Sequence, residues 1–369
     1  MYFFYLVYIL VLGLLLKSKK NRLSSRSFLF AAFFGMTLLA GFRGETVGTD
    51  TETYHLILNR MISYGFENYK KIWDIEPGFA MLVILVSKTV KNMQWLFVLF
   101  AGFTSYAFAR FIYKHSRDVF FSTLLYYLFI FPRTLNICRM YIAISFFLLA
   151  YDCILNKEKL KALLFILAAT LFHQSAWILV IVWVLAFVKK IDEKVYIGLV
   201  LCAGFLYAAF DVVLPKVLPL FSRYTHYLTG PAQYQSSLSW KYALIYGIVF
   251  LFSVYAIYVL HWTRKKKIKD GIAVSKHEMT LQEDFIMSAG FFVWSIMFLL
   301  LSQRFFLMDR FFDYFYFSFI VIVPNSIEYG FNSKSTVILK LGLGILLTYA
   351  GMNSILANIA GVYPYILCF

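Results

Sequence analysis

The chain has 369 residues, of which 61% are hydrophobic and 15% charged. That is more apolar surface than one soluble core can hide, so lipid is the expected solvent and no soluble domain is left over. The net charge of +16 lies in short loops between apolar runs, the distribution of a membrane protein rather than of a nucleic-acid binder.

Met1 to Leu16 has the length of a signal peptide, but its positive cluster follows the apolar run and no small-residue cleavage site is present. It reads as a retained first helix with its amino terminus outward. The basic loop Lys17, Lys19, Lys20, Arg22 and Arg26 then sends a second helix, Phe28 to Phe42, back to the outer face. Arg43 to Asp74 carries four basic and five acidic residues and is too polar for hydrocarbon, so it is expected as an outer loop.

Further apolar runs follow at Pro77 to Val90, Trp95 to Tyr113, Val119 to Phe131, Ile137 to Leu155, Leu160 to Val188 and Val195 to Val213. The last four are Tyr242 to Trp262, Phe285 to Leu301, Phe305 to Val323 and Val337 to Ile355. A full crossing takes roughly 20 helical residues. Basic residues flank both ends of Leu160 to Val188, namely Lys157, Lys159 and Lys161 before it and Lys189 and Lys190 after it. The run is therefore expected to enter and return as a short hairpin with Phe172, His173, Gln174 and Ser175 at its tip. The same charge rule, applied to Lys114 and Arg117, makes Pro77 to Val90 a half-helix. The fold class is an all-α polytopic transmembrane bundle of about 10 to 13 segments, including short or re-entrant ones. It forms one membrane domain over residues 1–369, with outer loops near 43–75 and 214–240 and a cytoplasmic basic loop near 263–284. The four cysteines, Cys138, Cys153, Cys202 and Cys368, lack paired spacing and are expected as small core residues.

Several polar clusters could carry chemistry. Where the second helix ends, Arg43, Gly48, Thr49, Asp50, Thr51 and Tyr54 combine a turn, hydroxyls and a carboxylate. Asp50 or Thr49 could equally cap a helix over Thr51 to Ser63. Glu76 precedes Pro77 and Gly78 and suits a helix start. Pro132 is expected to end or kink its helix, with Arg133 and Asn136 beyond it. Arg139 begins the next apolar run, and an intramembrane arginine is either paired or functional; its fork suits a phosphate. His173 could accept a proton. Arg304, Asp309, Arg310, Asp313 and Tyr314 interrupt an aromatic run, where Arg310 and Asp313 share a helix face and could neutralise one another. Phosphate-loop, Walker and HExxH patterns are missing from the sequence, and ATP coupling is not supported.

Taken in order, these residues resemble the EpsG family of exopolysaccharide biosynthesis, related in role to the Wzy polymerases. The resemblance rests on Arg43 with Gly48, Thr49, Asp50, Thr51 and Tyr54; Glu76 to Phe79; Arg139, Ile142 and Ala143; Phe172, His173, Ser175 and Ala176; and Arg310 with Tyr314. Met140 stands where the family pattern has glutamine, and the helix after Val323 matches nothing specific. The resemblance implies a glycosyltransferase C-like, metal-independent polymerase without cofactor. It would join undecaprenyl-diphosphate-linked oligosaccharide repeat units at the outer face of a bacterial cytoplasmic membrane. A chain-length regulator and a flippase are the implied pathway partners, besides membrane lipid. On this reading Arg139 and Arg310, with Arg43, bind the diphosphate, and Asp50 or His173 is the base. Thr49, Tyr54, Glu76, Arg133, Arg304 and Tyr314 line the substrate. Competing readings are a flippase of a lipid-linked glycan, which predicts internal repeats that the sequence lacks, a membrane acyltransferase using His173, and a non-catalytic scaffold.

Overall fold

A computed structural model describes residues 1–17, 22–65, 75–217 and 240–369. These residues form an all-α polytopic bundle; their one extended pairing is an isolated antiparallel bridge between Arg43 and Leu367. Six described helices are long and apolar enough to cross a membrane: Met93–His115, Cys138–Leu155, Glu193–Lys216, Trp240–Lys269, Lys276–Ser302 and Ser333–Leu356. The chain is thus an integral membrane protein. Of the expected outer loop near 214–240, positions 218–239 lie outside the described residues while 214–217 end a helix, and positions 66–74 of the first loop are likewise outside them.

The helices group into two compact units, residues 1–187 with 334–369 and residues 188–333. The first unit opens with α1 (Tyr2–Lys17) and α2 (Arg22–Gly41), followed by α3 (Thr51–Tyr64), α4 (Pro77–Lys88) and α5 (Met93–His115). At 12 residues, α4 is about 18 Å long and falls short of a roughly 30 Å hydrocarbon core, as the charge rule required. Its Phe79 and Val83 pack with Tyr54 and Leu58 of α3 and Phe97 of α5.

Val119–Leu125 (α6) continues through a π-helical turn, Tyr126–Ile130, into α7 (Phe131–Asn136). Pro132 therefore does not end the helix. The wider turn before it absorbs the missing N–H and the ring, with Phe131 N–H donating back to Tyr126 O. After a one-residue break at Ile137 (φ −97°, ψ 55°), α8 runs from Cys138 to Leu155.

The run from Lys159 folds back on itself. α9 (Lys159–Thr170) reaches a tip at Leu171 to His173, and a return arm of 3-10 turns flanking α10 (Leu179–Trp183) follows. Trp183 Nε1 donates to Lys159 O at 2.8 Å, and the Lys159 ammonium lies 4.5 Å from the Phe187 ring, so both ends of the run meet. This is the hairpin expected from charge and length.

The end of the unit opposite that tip gathers its charges. Asp152 of α8 accepts from Arg110, from Lys114 Nζ at 2.8 Å and from His115 Nε2 at 2.9 Å, all on α5. Asp118 pairs with Lys340 of α16 (Ser333–Leu356) at 2.7 Å.

The second unit consists of α11 (Glu193–Val217), α12 (Trp240–Lys269), α13 (Lys276–Ser302), α14 (Met308–Tyr316) and α15 (Phe319–Gly330). A capping box of Ser275 and Glu278 starts α13. The apolar run Phe305 to Val323 forms two helices rather than one, parted at Phe317 and Ser318, whose hydroxyl donates to Phe315 O at 2.6 Å. α11, α12 and α13 border an apolar cavity of about 460 Å³ that includes Tyr207, Gly247 and Met297. Cys138 and Cys153 are buried as expected, but Cys202 and Cys368 are exposed, because their helix face and strand-like segment turn outward.

Candidate active site

At the hairpin-tip end of the first unit, four separate stretches of sequence come together. The loop between α2 and α3 must find partners for its main-chain groups, having no helix or sheet of its own. Gly48 adopts φ +90°, and a Cβ there would lie 2.4 Å from Leu135 O, so only glycine lets the loop pass this close to the end of α7. The next two residues are then fastened to Asn136. Thr49 Oγ1 donates to Asn136 Oδ1 at 2.6 Å, and the Asp50 N–H donates to the same oxygen at 3.2 Å. Asp50 occupies the N-cap position of α3, yet its carboxylate makes no capping hydrogen bond. It is half-buried, and Thr49 is exposed.

Glu76 and Arg139 form the centre of the cluster. Glu76 starts α4 with Pro77 at the first position, as expected, but its carboxylate does not cap that helix. Instead Arg139 Nη1 donates to Glu76 Oε2 at 2.6 Å, and the Gln174 N–H donates to Glu76 Oε1 at 3.3 Å. The pair is largely buried, with 20% of the Arg139 and 9% of the Glu76 side chain exposed. The Arg139 guanidinium also lies 5.0 Å from the Phe79 ring centroid and 5.6 Å from that of Tyr54. Its Nε is buried without a hydrogen-bond partner among the described residues. Burial pushes the Tyr54 phenol well above its ordinary pKa, and Asp50 is near enough for its charge to act in the same direction.

His173 is buried at the hairpin tip, with Nδ1 2.6 Å from Ser175 Oγ. The tip is docked onto α4 by the Gly78 N–H, which donates to Leu171 O at 2.8 Å. Thus Asp50, Tyr54, Glu76, Arg139 and His173, from motifs far apart along the chain, belong to one end of one unit.

The remaining expected residues are placed differently. Arg43 is 2% exposed. Its Nη1 donates to Ala40 O at 2.6 Å and its Nε to Thr51 Oγ1 at 3.3 Å, while its guanidinium sits 4.0 Å from the Phe97 ring. Burial pulls its pKa below the ordinary value. It therefore closes the end of α2 beneath the loop rather than facing solvent. Arg133 is half-buried on the last turn of α7. Arg304, Arg310 and Tyr314 belong to the second unit. Arg304 is exposed, pairs with Asp211 at 3.2 Å and lies 4.3 Å from the Tyr207 ring. Tyr314 and Asp313 are buried, whereas Arg310 is exposed and makes no ion pair with a described residue, so the pairing of Arg310 with Asp313 does not form.

Among the described residues no group of three or more histidines, cysteines, aspartates or glutamates could hold a metal ion. The EpsG family model matches residues 26–367. This chain belongs to the EpsG family. The amylovoran biosynthesis protein AmsC of Erwinia amylovora is 26% identical to this EpsG-family chain over 190 residues. That match covers 49% of this chain and 49% of the relative, so it spans about half the length of each. No solved structure matches.

Proposed function

We propose that this EpsG-family protein is a polysaccharide polymerase of the glycosyltransferase type. It joins polyprenyl-diphosphate-linked oligosaccharide repeat units at the outer face of a bacterial cytoplasmic membrane. The observation that carries this reading is the Glu76 and Arg139 pair, set beside Asp50 and His173 at the end of the first unit opposite the basic cluster around Asp152. Family membership and the name of the amylovoran relative support a role in exopolysaccharide biosynthesis.

In the reaction, an acceptor hydroxyl oxygen bonds to the anomeric carbon of the donor as that carbon's bond to the diphosphate oxygen breaks. Two tasks fall to the protein. Negative charge grows on the departing diphosphate, and Arg139 is placed to bind it with a permanent charge and a free Nε–H. Glu76 and the Phe79 and Tyr54 rings hold the guanidinium in position. The acceptor hydroxyl must lose a proton, and Asp50, half-buried and not engaged in capping, is the base. His173, buried at the hairpin tip with Nδ1 2.6 Å from Ser175 Oγ, is the rival base. Buried Arg43 supports the Asp50 loop and does not meet the diphosphate.

The test is glycan chain length in cells lacking the chromosomal gene, complemented with wild type, Arg139→Ala, Asp50→Asn or His173→Ala at matched membrane levels. Long polymer with wild type and single lipid-linked repeats with Arg139→Ala and Asp50→Asn are expected. If repeats fail to reach the outer face without the protein, it is a transporter and the polymerase reading is wrong.

A further inference from the structure

The loop that carries Asp50 has a second neighbour besides Asn136. Beyond α16, residues 361–368 run back across it. Gly361 O accepts the Gly48 N–H at 2.7 Å, Ile366 O accepts the Gly44 N–H at 2.7 Å, and the Cys368 N–H donates to Phe42 O at 3.0 Å. Arg43 and Leu367 form the antiparallel bridge. The segment is itself anchored from behind. Tyr2 of α1 donates to Val362 O at 2.9 Å, and Tyr365 donates to Leu39 O at 2.5 Å.

The contact is close enough to dictate residue type. Gly361 adopts φ +67°, and a Cβ there would stand 2.6 Å from Thr49 Cγ2. A Cβ on Gly44 would approach Ile366 O at 3.2 Å. These bonds satisfy main-chain groups of an irregular loop that would otherwise open to water. We propose that residues 361–368 are a positioning strap: they fix the main chain of the Arg43 to Asp50 loop between themselves and Asn136, and so set where the Asp50 carboxylate stands. The strap touches no reacting atom. Its effect on turnover rests on the polymerase reading, but its grip on the loop does not.

The experiment uses full-length protein in lipid nanodiscs. Gly361→Ala adds the methyl that meets Thr49 Cγ2, and Thr49→Ser removes that Cγ2 while keeping the hydroxyl that donates to Asn136. In Gly361→Ala the Gly44 and Gly48 amides should exchange with deuterium about tenfold faster than in wild type, the scale set by one strained left-handed residue. Amides of α5 and α8 should be unchanged. Turnover should fall by about the same factor with KM for the lipid-linked acceptor unaltered. Adding Thr49→Ser to Gly361→Ala should recover part of both losses relative to Thr49→Ser alone. Tyr2→Phe, which deletes only the hydroxyl holding Val362, is a milder variant and should shift exchange in the same direction.

Unchanged exchange at Gly44 and Gly48 in both variants overturns the strap, as does wild-type turnover in a Gly361→Ala protein whose loop is demonstrably loosened. A uniform rise in exchange across α5 and α8 also overturns it, since the segment would then hold the whole unit. If wild type makes no polymer, the functional reading falls, and the exchange measurement alone decides the strap.

Discussion

Glu76 Oε2 lies 2.6 Å from Arg139 Nη1, although 63 residues separate the two along the chain. The contact joins the start of a helix too short to cross a membrane to the first turn of one long enough to do so. It turns a costly intramembrane charge into one that is neutralised and aimed.

Removing one partner should therefore cost more than removing both. Arg139→Ala or Glu76→Gln alone leaves a largely buried group uncompensated, an effect of about 3 kcal/mol in stability for pairs of this kind. The double variant should regain part of the lost thermal stability and none of the polymerisation. Arg139→Lys should melt close to wild type and still fail in the polymer assay, because an ammonium lacks the fork that engages Glu76 while leaving Nε–H for substrate. Melting curves and glycan length on the four variants check this, and a fully active Arg139→Lys would refute the role given to the fork.

Asn136 holds the Asp50 loop from the other side. Asn136→Ala removes the acceptor for both Thr49 Oγ1 and the Asp50 N–H and should lower stability by about 1 kcal/mol. Turnover should fall by more than that loss explains, since the candidate base is left unfixed. Asn136→Asp keeps the acceptor oxygen and should retain more turnover than Asn136→Ala; the order of the two rates is the readout.

The hairpin tip rests on Gly78. A Cβ there would meet Leu171 O at 2.8 Å, so Gly78→Ala must push α4 off the tip or break the bond from its own N–H. A loss of about 1 to 3 kcal/mol is expected. Gly102→Ala, where the nearest atom would be 4.0 Å away, should melt as wild type or slightly higher. Equal melting temperatures for the two variants would contradict the docking.

His55 gives the first unit a pH dependence. Burial lowers its pKa below the ordinary value, with Glu45 opposing the shift from 3.4 Å. A base whose folded pKa is depressed is disfavoured when charged. Its contribution is therefore intact above about pH 6.5, the unfolded value, and is lost as pH falls through the lower folded value. Stability measured from about pH 7.5 down to about pH 5 should decline, and His55→Gln should flatten that slope. An unchanged slope in His55→Gln would assign the titration to another group.

Much of the architecture was legible because two simple constraints collide in the sequence. Basic residues on both sides of Leu160 to Val188 bias its ends to one side, and its length is short for two full crossings, so a hairpin is the expectation. The same charge rule marked Pro77 to Val90 as a short helix, and the structure has one at Pro77–Lys88. At Pro132 the expected interruption takes the form of a π turn, Tyr126–Ile130, and five residues of wider winding leave no mark in composition. Asp152 carries a signal of its own, since a lone carboxylate in an apolar run calls for a partner, and here it has Arg110, Lys114 and His115. The pairing of Glu76 with Arg139 could not be read, since it is set by how α4 and α8 pack. The strap left still less trace, being held mainly by main-chain groups, with only its glycines to mark it.

α8 is fastened at both ends. Arg139 is tied to Glu76 near its start, and Asp152 is tied to α5 near its finish, about 20 Å further along the same axis. Sliding this helix by even one turn, about 5.4 Å, would break both ties at once. It behaves as a braced beam, and the guanidinium it carries is a fixed mark in the bundle. On the proposed polymerase reading, a catalytic cycle built on such a part would move its substrates past the charge, with any give supplied by the hairpin tip and the loops rather than by a piston stroke of the helix.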